Sequence, residues 1–207
     1  MSDGLAAVLR RARDLGFLGP GDPEVHVHHA LAFAEAYEAL EGGPPAACCD
    51  LGAGGGVPGL VLATRWPRTP VVLLEASVRR CAFLREAIRE LGVVKAGVTE
   101  GRVEDLARTP LLEGRFELVT ARSFGRPATT AECAVRLLSP GGLLMVAEPP
   151  MGEVGVARWP SEGLAALGLE PADVAGLEPR LVAIRRGGPC PDRYPRRNGI
   201  PAKRPLF

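Results

Sequence analysis

One segment constrains this chain more than any other: Asp50-Leu-Gly-Ala-Gly-Gly-Gly-Val-Pro-Gly59, set between a short apolar run and a helical pattern. Gly52, Gly54 and Gly56 remove side chains where the backbone must bend sharply and approach a ligand, and Pro58 suits the first turn of a following helix. A nucleotide-like ligand fits such a turn, because in an open α/β sheet the binding crevice lies beyond the carboxyl ends of the strands. The surrounding pattern agrees. Residues 46–51, 71–75, 96–100, 116–121 and 143–147 read as strands, and residues 58–65, 77–91 and 129–138 read as helices between them. This alternation predicts a parallel sheet covered on both faces. Val71-Val-Leu-Leu74 is apolar without interruption, as a doubly covered strand requires.

Two further helices are predicted at residues 5–15 and 25–40, separated by the breaker-rich stretch 16–23. Residues 1–41 then form N-terminal helices packing on the core, and residues 42–207 the main α/β unit, single-domain overall. Residues 149–160 read as an irregular connection, residues 180–185 as a last strand, and the residues after Gly187 as extended. A chain of 207 residues with 46% apolar and 24% charged residues can build such a core. The formal charge of +1 is unevenly placed: residues 185–207 carry seven Lys and Arg against Asp192 alone, +6, which leaves −5 for the rest. A basic tail of this kind suits a polyanion such as RNA, and equally a solvated, solubilising end.

Five cysteines without a Cys-x-x-Cys pair indicate neither a disulfide framework nor a zinc cluster, so reduced, mostly buried thiols are expected. His26, His28 and His29 lack further ligands at a useful spacing, and no metal is expected. No secretory pattern or membrane-length apolar run is found, which predicts a cytoplasmic protein.

Chemistry concentrates at the glycine turn. Asp50 precedes it, where a carboxylate can meet the ammonium of a methionine moiety directly or through water. Glu75 ends the second strand, where an acid can accept both hydroxyls of a ribose. Gly54-Gly-Gly56-Val-Pro-Gly59 also satisfies the dinucleotide fingerprint, with Glu75 at a spacing of 21 that suits NAD, so a dehydrogenase competes. The acid of Asp50-x-Gly-x-Gly, the strand opening Leu138-Ser-Pro-Gly-Gly142 and the lack of chain for a substrate domain favour S-adenosylmethionine.

The motifs resemble those of the RsmG (glucose-inhibited division protein B) family, which methylates guanine N7 in small-subunit ribosomal RNA. The resemblance rests on Asp50–Leu60, Arg79-Arg-Cys-Ala-Phe-Leu-Arg85, Gly101-Arg-Val-Glu-Asp105, Val119-Thr-Ala-Arg-Ser-Phe124 and the ending Tyr194-Pro-Arg-Arg-Asn-Gly-Ile-Pro201. It implies a Rossmann-like class I S-adenosylmethionine-dependent methyltransferase fold. It further implies that Gly52 and Val57 line the cofactor at the turn, that Val103 and Glu104 hold the adenine edge, and that Arg122 stands beside cofactor and substrate. Ribosomal RNA or the small ribosomal subunit would be the partner of a monomeric enzyme, with Arg193, Arg196, Arg197, Lys203 and Arg204 against its phosphates.

Two places differ from the family pattern. The family's Arg-His-x-x-Asp-Ser stretch is replaced by Val27-His-His-Ala-Leu-Ala-Phe-Ala34, and its Lys-Gly after the fifth core strand by Glu148-Pro-Pro150, an anion for a cation. A diverged member is therefore expected, and two alternatives stay open: a small-molecule methyltransferase on the same fold, and a catalytically silent relative that binds cofactor or ribosome. No Asn/Asp-Pro-Pro-Tyr loop for an exocyclic amine follows the fourth strand, and Cys48 and Cys49 sit inside the first strand, away from any nucleophilic role. Guanine N7 already presents a lone pair, so its attack on a sulfonium methyl needs positioning rather than a general base.

Overall fold

The computed structural model describes residues 3–149, 158–172 and 180–207. Helices α1 (Asp3–Asp14) and α2 (Pro23–Glu41) precede β1 (Cys48–Leu51), α3 (Gly59–Arg65), β2 (Val71–Glu75), α4 (Val78–Leu91), β3 (Ala96–Glu100), α5 (Val103–Leu106), β4 (Phe116–Ala121), α6 (Pro127–Val135) and β5 (Leu138–Ala147). The chain continues through α7 (Ser161–Ala165), β6 (Leu169–Ala172), β7 (Leu181–Arg186) and α8 (Ile200–Lys203). Local signals explain the ends of α2: the Asp22 side chain accepts from Glu24 N at 2.9 Å, Pro23 opens the helix, and Gly42 closes it in the left-handed conformation.

The strands form one sheet in the order β3-β2-β1-β4-β5-β7-β6. β1 to β5 run parallel, and β7 runs antiparallel between β5 and β6. After β1 the chain winds outward to β2 and β3, then returns to place β4 on the other side of β1. Connections therefore leave β1 and β4 in opposite directions, and a crevice opens beyond their carboxyl ends.

Alternate residues of the strands feed two apolar layers. Cys48, Leu73, Leu118 and Leu143 pack with Leu9, Phe33, Leu60 and Leu84 of the first four helices. Cys49, Leu74, Val119 and Leu144 pack on the opposite face with Val103, Cys133 and Leu137. α1 packs on α4 and α2 on α3, so the N-terminal helices cover the first face. All five cysteines are free thiols, four of them buried.

Several boundaries differ from the sequence reading. β5 starts at Leu138 rather than 143, because Leu138 already pairs with Phe116 across a register shift. α6 correspondingly ends at Val135. β6 and α7 have no counterpart in that reading: β6 is four residues long and contains Pro171, which an edge strand tolerates since one side of its backbone is unpaired. Residues 150–157 of the predicted irregular connection lie outside the described residues.

The segment after Gly187 is the largest correction. It is no extended arm. Tyr194 is buried, Arg136 Nε donates to its carbonyl at 2.5 Å, and Arg136 Nη2 donates to the Pro191 carbonyl at 3.0 Å. Glu132 is fully buried and accepts from Arg196 Nη2 at 2.6 Å, from Arg196 Nε at 2.9 Å and from the Arg196 backbone N–H at 2.8 Å. Gly199, at φ 77°, then turns the chain into α8, and Thr129 Oγ1 donates to the Pro201 carbonyl at 3.1 Å.

Truncating Arg196 leaves a carboxylate uncompensated in the interior, the costly half of a buried ion pair. Arg196→Ala is expected to lower unfolding stability by about 3 kcal/mol. Urea denaturation checks this, and an unchanged midpoint would contradict the anchoring role.

Candidate active site

Two clefts meet at the carboxyl end of β4. The smaller, of about 270 Å³, is lined by Gly52, Glu75, Ala76, Arg80, Arg102, Val103, Glu104 and Phe124 among others. The larger, of about 690 Å³, is lined by His26, His28, His29, Arg122, Trp159 and Arg180 among others. Ser123 and Phe124 border both. Ser123 has φ 56°, a left-handed conformation rare for a residue with a side chain and characteristic of functional turns. The Phe124 ring leans over Gly52 so closely that a Cβ there would lie 2.8 Å from it. Gly52 itself has φ 64°, so the first glycine of the turn is required both by backbone conformation and by space.

Glu75 is nearly buried at the end of β2. Its Oε2 accepts from Gly54 N at 2.9 Å and its Oε1 from Ser77 N at 2.8 Å. Each carboxylate oxygen has a further lone pair, and both belong to a group on the wall of the smaller cleft. Arg80 stands 3.9 Å from Oε2 at the rim. Val103 and Glu104 lie on the same cleft, and Glu104 Oε1 accepts from Gly199 N at 3.0 Å. Ala202 borders the cleft as well, so the C-terminal segment forms part of its wall.

Asp50 is placed otherwise than expected. Its side chain is fully buried; Oδ2 accepts from Gly59 N at 2.9 Å and Oδ1 from Thr120 Oγ1 at 2.9 Å. Both oxygens face the interior, which replaces the anticipated contact with a methionine ammonium. Burial pushes its carboxyl up to about 7, against the opposing pull of Thr120, Gly59 and Arg122. Val57 also turns inward, into the apolar layer, and Gly56 packs under Leu60 and Leu84 rather than facing the cleft.

In the larger cleft, Arg122 Nη1 lies 3.2 Å from His26 Nδ1. His26, which the sequence suggests is a core or surface histidine, is a neighbour of Arg122 because the start of α2 lies beside the turn that follows β4. Periodicity does not report that proximity. Glu148 presents no free anion: Arg158 Nη1 donates to it at 2.5 Å and Trp159 Nε1 at 2.9 Å. Neither Arg158 nor Trp159 carries a motif signal. Of the basic tail residues, Arg193 stacks on Tyr194 at 4.9 Å, while Arg197, Lys203 and Arg204 are exposed. Arg196, also expected against phosphates, holds Glu132 and the Arg204 carbonyl through Nε and Nη2.

Residues 16–151 match the family described as rRNA small subunit methyltransferase G. The chain belongs to this family. It is 37% identical over 170 residues to the ribosomal RNA small subunit methyltransferase G of Chloroflexus aggregans, covering 78% of this chain and 70% of that one. The corresponding protein of Rubrobacter xylanophilus is 35% identical over 215 residues, covering 97% and 81%. Among solved structures, an O-methyltransferase from Bacillus cereus in complex with SAH superposes with TM-score 0.61 at 16% identity, covering 89% of this chain and 91% of that one. A methyltransferase from Geobacter sulfurreducens gives 0.60 at 14% identity, covering 89% and 88%. These last two show the fold: the class I arrangement of S-adenosylmethionine-dependent methyltransferases. By its family, the chain is an S-adenosylmethionine-dependent methyltransferase.

The smaller cleft suits the cofactor, since it is lined by the Glu75 carboxylate, which is held beside the glycine turn by the Gly54 amide. Glu75→Ala is expected to weaken S-adenosylhomocysteine binding by about 1–3 kcal/mol, the cost of removing a charge-assisted partner. Titration calorimetry reads this, and an unchanged affinity would remove Glu75 from the site. A second expectation concerns Asp50. Its native carboxyl keeps a proton up to about 7, whereas the unfolded chain releases it near 3.8. Between those values the native state holds more protons, so stability falls as pH rises and levels off above the upper one. Relative to Asp50→Asn, which does not titrate, the wild type should lose about 2–4 kcal/mol between pH 4 and pH 8. Parallel stability curves would contradict the buried, protonatable anchor.

Proposed function

We propose that the enzyme transfers the methyl group of S-adenosylmethionine to N7 of a guanine in small-subunit ribosomal RNA, acting as a cytoplasmic monomer. The observation that carries this reading is the junction of the two clefts at Ser123 and Phe124, with Arg122 beside it. One cleft has the glycine and carboxylate that suit a nucleoside; the other is large, open and bordered by Arg122, Arg158 and Arg180. Family membership and the names of the relatives support RNA as acceptor.

When bound, the cofactor supplies an electrophilic methyl on a sulfonium, and transfer to N7 leaves a neutral thioether with no proton to remove. The residues at the junction accordingly hold and orient. Glu75 fixes the ribose side, Val103 and Glu104 the adenine side, and Phe124 separates the donor cleft from the acceptor while flanking both. Arg122 offers N–H groups to a phosphate or base carbonyl of the acceptor. An acceptor that already carries a lone pair asks for no general base, so His28 and His29, which also line the larger cleft, need take no proton from it. Exposed Arg193, Arg197, Lys203 and Arg204 extend the cationic surface along the C-terminal segment.

Incubation of small ribosomal subunits and their RNA with radiolabelled cofactor, followed by mapping of the labelled base, tests the reading. Label on a guanine at N7 is expected, and affinity for RNA should fall with salt. Arg197→Ala with Arg204→Ala should flatten that salt slope by about two units, roughly one for each phosphate left unneutralised. Label confined to a small-molecule acceptor, or RNA binding insensitive to salt, would overturn the proposal.

A further inference from the structure

His26 lies in the first turns of α2 and lines the acceptor cleft, yet it is almost wholly buried. Its two ring nitrogens meet opposite kinds of partner. Nδ1 is 3.2 Å from Arg122 Nη1, and a guanidinium can only donate. Nε2 is 3.2 Å from the Gly19 carbonyl, which can only accept. Both contacts are hydrogen bonds in a single protonation state: neutral imidazole with its proton on Nε2. Among the described residues His26 is also the hydrogen-bond acceptor that fixes Arg122; Asp50 attracts the guanidinium at longer range without a hydrogen bond to it. We infer that His26 is a positioning residue for the methyl acceptor, clamping Arg122 so that its remaining N–H groups face the acceptor cleft. This inference rests on the proposed role of Arg122 toward RNA.

The clamp has a second attachment. Gly19 belongs to the loop between α1 and α2, and the Phe17 carbonyl of that loop lies against the cofactor turn, 2.8 Å from where a Cβ on Gly55 would stand. Through Gly19, His26 therefore ties Arg122 to the same loop that buttresses the donor side. Acid should release it. A proton on Nδ1 would set donor against donor, and the surroundings favour neutrality: burial, then Arg122 from the end of β4, then His29 from the next turn of α2 oppose the charge, against the Gly19 carbonyl and Asp22 at the α2 cap, which support it. Burial acts in the same direction as Arg122 and is the larger effect, holding His26 below the usual imidazole range.

Two variants separate the two hydrogen bonds. His26→Asn keeps an acceptor oxygen near the place of Nδ1, whereas His26→Gln reaches only the place of Nε2. Single-turnover methylation of small-subunit ribosomal RNA should slow roughly 10- to 100-fold in His26→Gln and His26→Leu, as expected when a positioning group is misplaced. His26→Asn should recover most of the rate, and calorimetry should show S-adenosylhomocysteine binding unchanged in all three. Nitrogen-detected NMR of the wild type should report the Nε2–H tautomer at neutral pH, with titration moving upward in Arg122→Met. Equal rates in His26→Leu and the wild type, or a rate in His26→Asn as low as in His26→Leu, would overturn the clamp. So would an Nδ1–H tautomer or a charged His26 at neutral pH, even with methylation intact. Absence of RNA methylation by the wild type would instead overturn the functional reading on which the inference rests.

Discussion

The Asp50 carboxylate holds together the place where the site is built. It lies at the switch point of the sheet, on β1, and reaches one hydrogen bond to Thr120 on β4 and another to the Gly59 amide at the start of α3. Those are the three elements whose ends define the crevice. Gly59 has no side chain because one would meet Leu73 at 2.2 Å and Asp50 Oδ2 at 2.7 Å. The acid thus fixes the helix at close range to the strands, and the turn between them carries Gly52 to the wall of the smaller cleft, beneath the Phe124 ring. A buried polar group of this kind costs free energy unless its partners are in place, so the arrangement tolerates few alternatives.

From this anchor the two clefts diverge, the smaller toward β2 and β3 and the larger toward β5, which on the proposed function are the donor and acceptor halves. The helices contribute unequally. α1 and α2 cover the first apolar layer, and α2 delivers three histidines to the acceptor cleft. The C-terminal segment acts from the opposite layer: Glu132, Thr129 and Glu104 draw residues 196–201 down until Ala202 borders the donor cleft. Its basic residues therefore serve two purposes, with Arg196 structural and the neighbouring cations left at the surface.

Strand-to-helix alternation is legible from the sequence because runs such as Val71-Val-Leu-Leu74 and Leu143-Leu-Met-Val-Ala147 are near-continuously apolar, and the position of Glu75 is legible because it closes the first of these runs. What the sequence hides is direction. Asp50 looks like a ligand contact since an acid beside glycines usually faces the cleft; only the register with Thr120 shows it turned inward. Val57 and Gly56 follow the motif but serve packing. Glu148 reads as an exposed anion because its partners, Arg158 and Trp159, stand ten and eleven residues away across a stretch with no periodicity. His26 carries no spacing signal at all, since its meaning comes from a residue 96 positions away.

The central claim is that donor and acceptor clefts share one junction at the carboxyl end of β4. Amide hydrogen exchange of the full chain, with and without S-adenosylhomocysteine, tests it most directly. Exchange should slow at the Gly52 turn, at residues 76–77, at residues 102–104 and at Ser123 and Phe124, while the cleft at the opposite end of the sheet, around Gly42 and Gly141, stays unchanged. Protection confined to that opposite cleft, or absent from residues 123–124, would contradict the account.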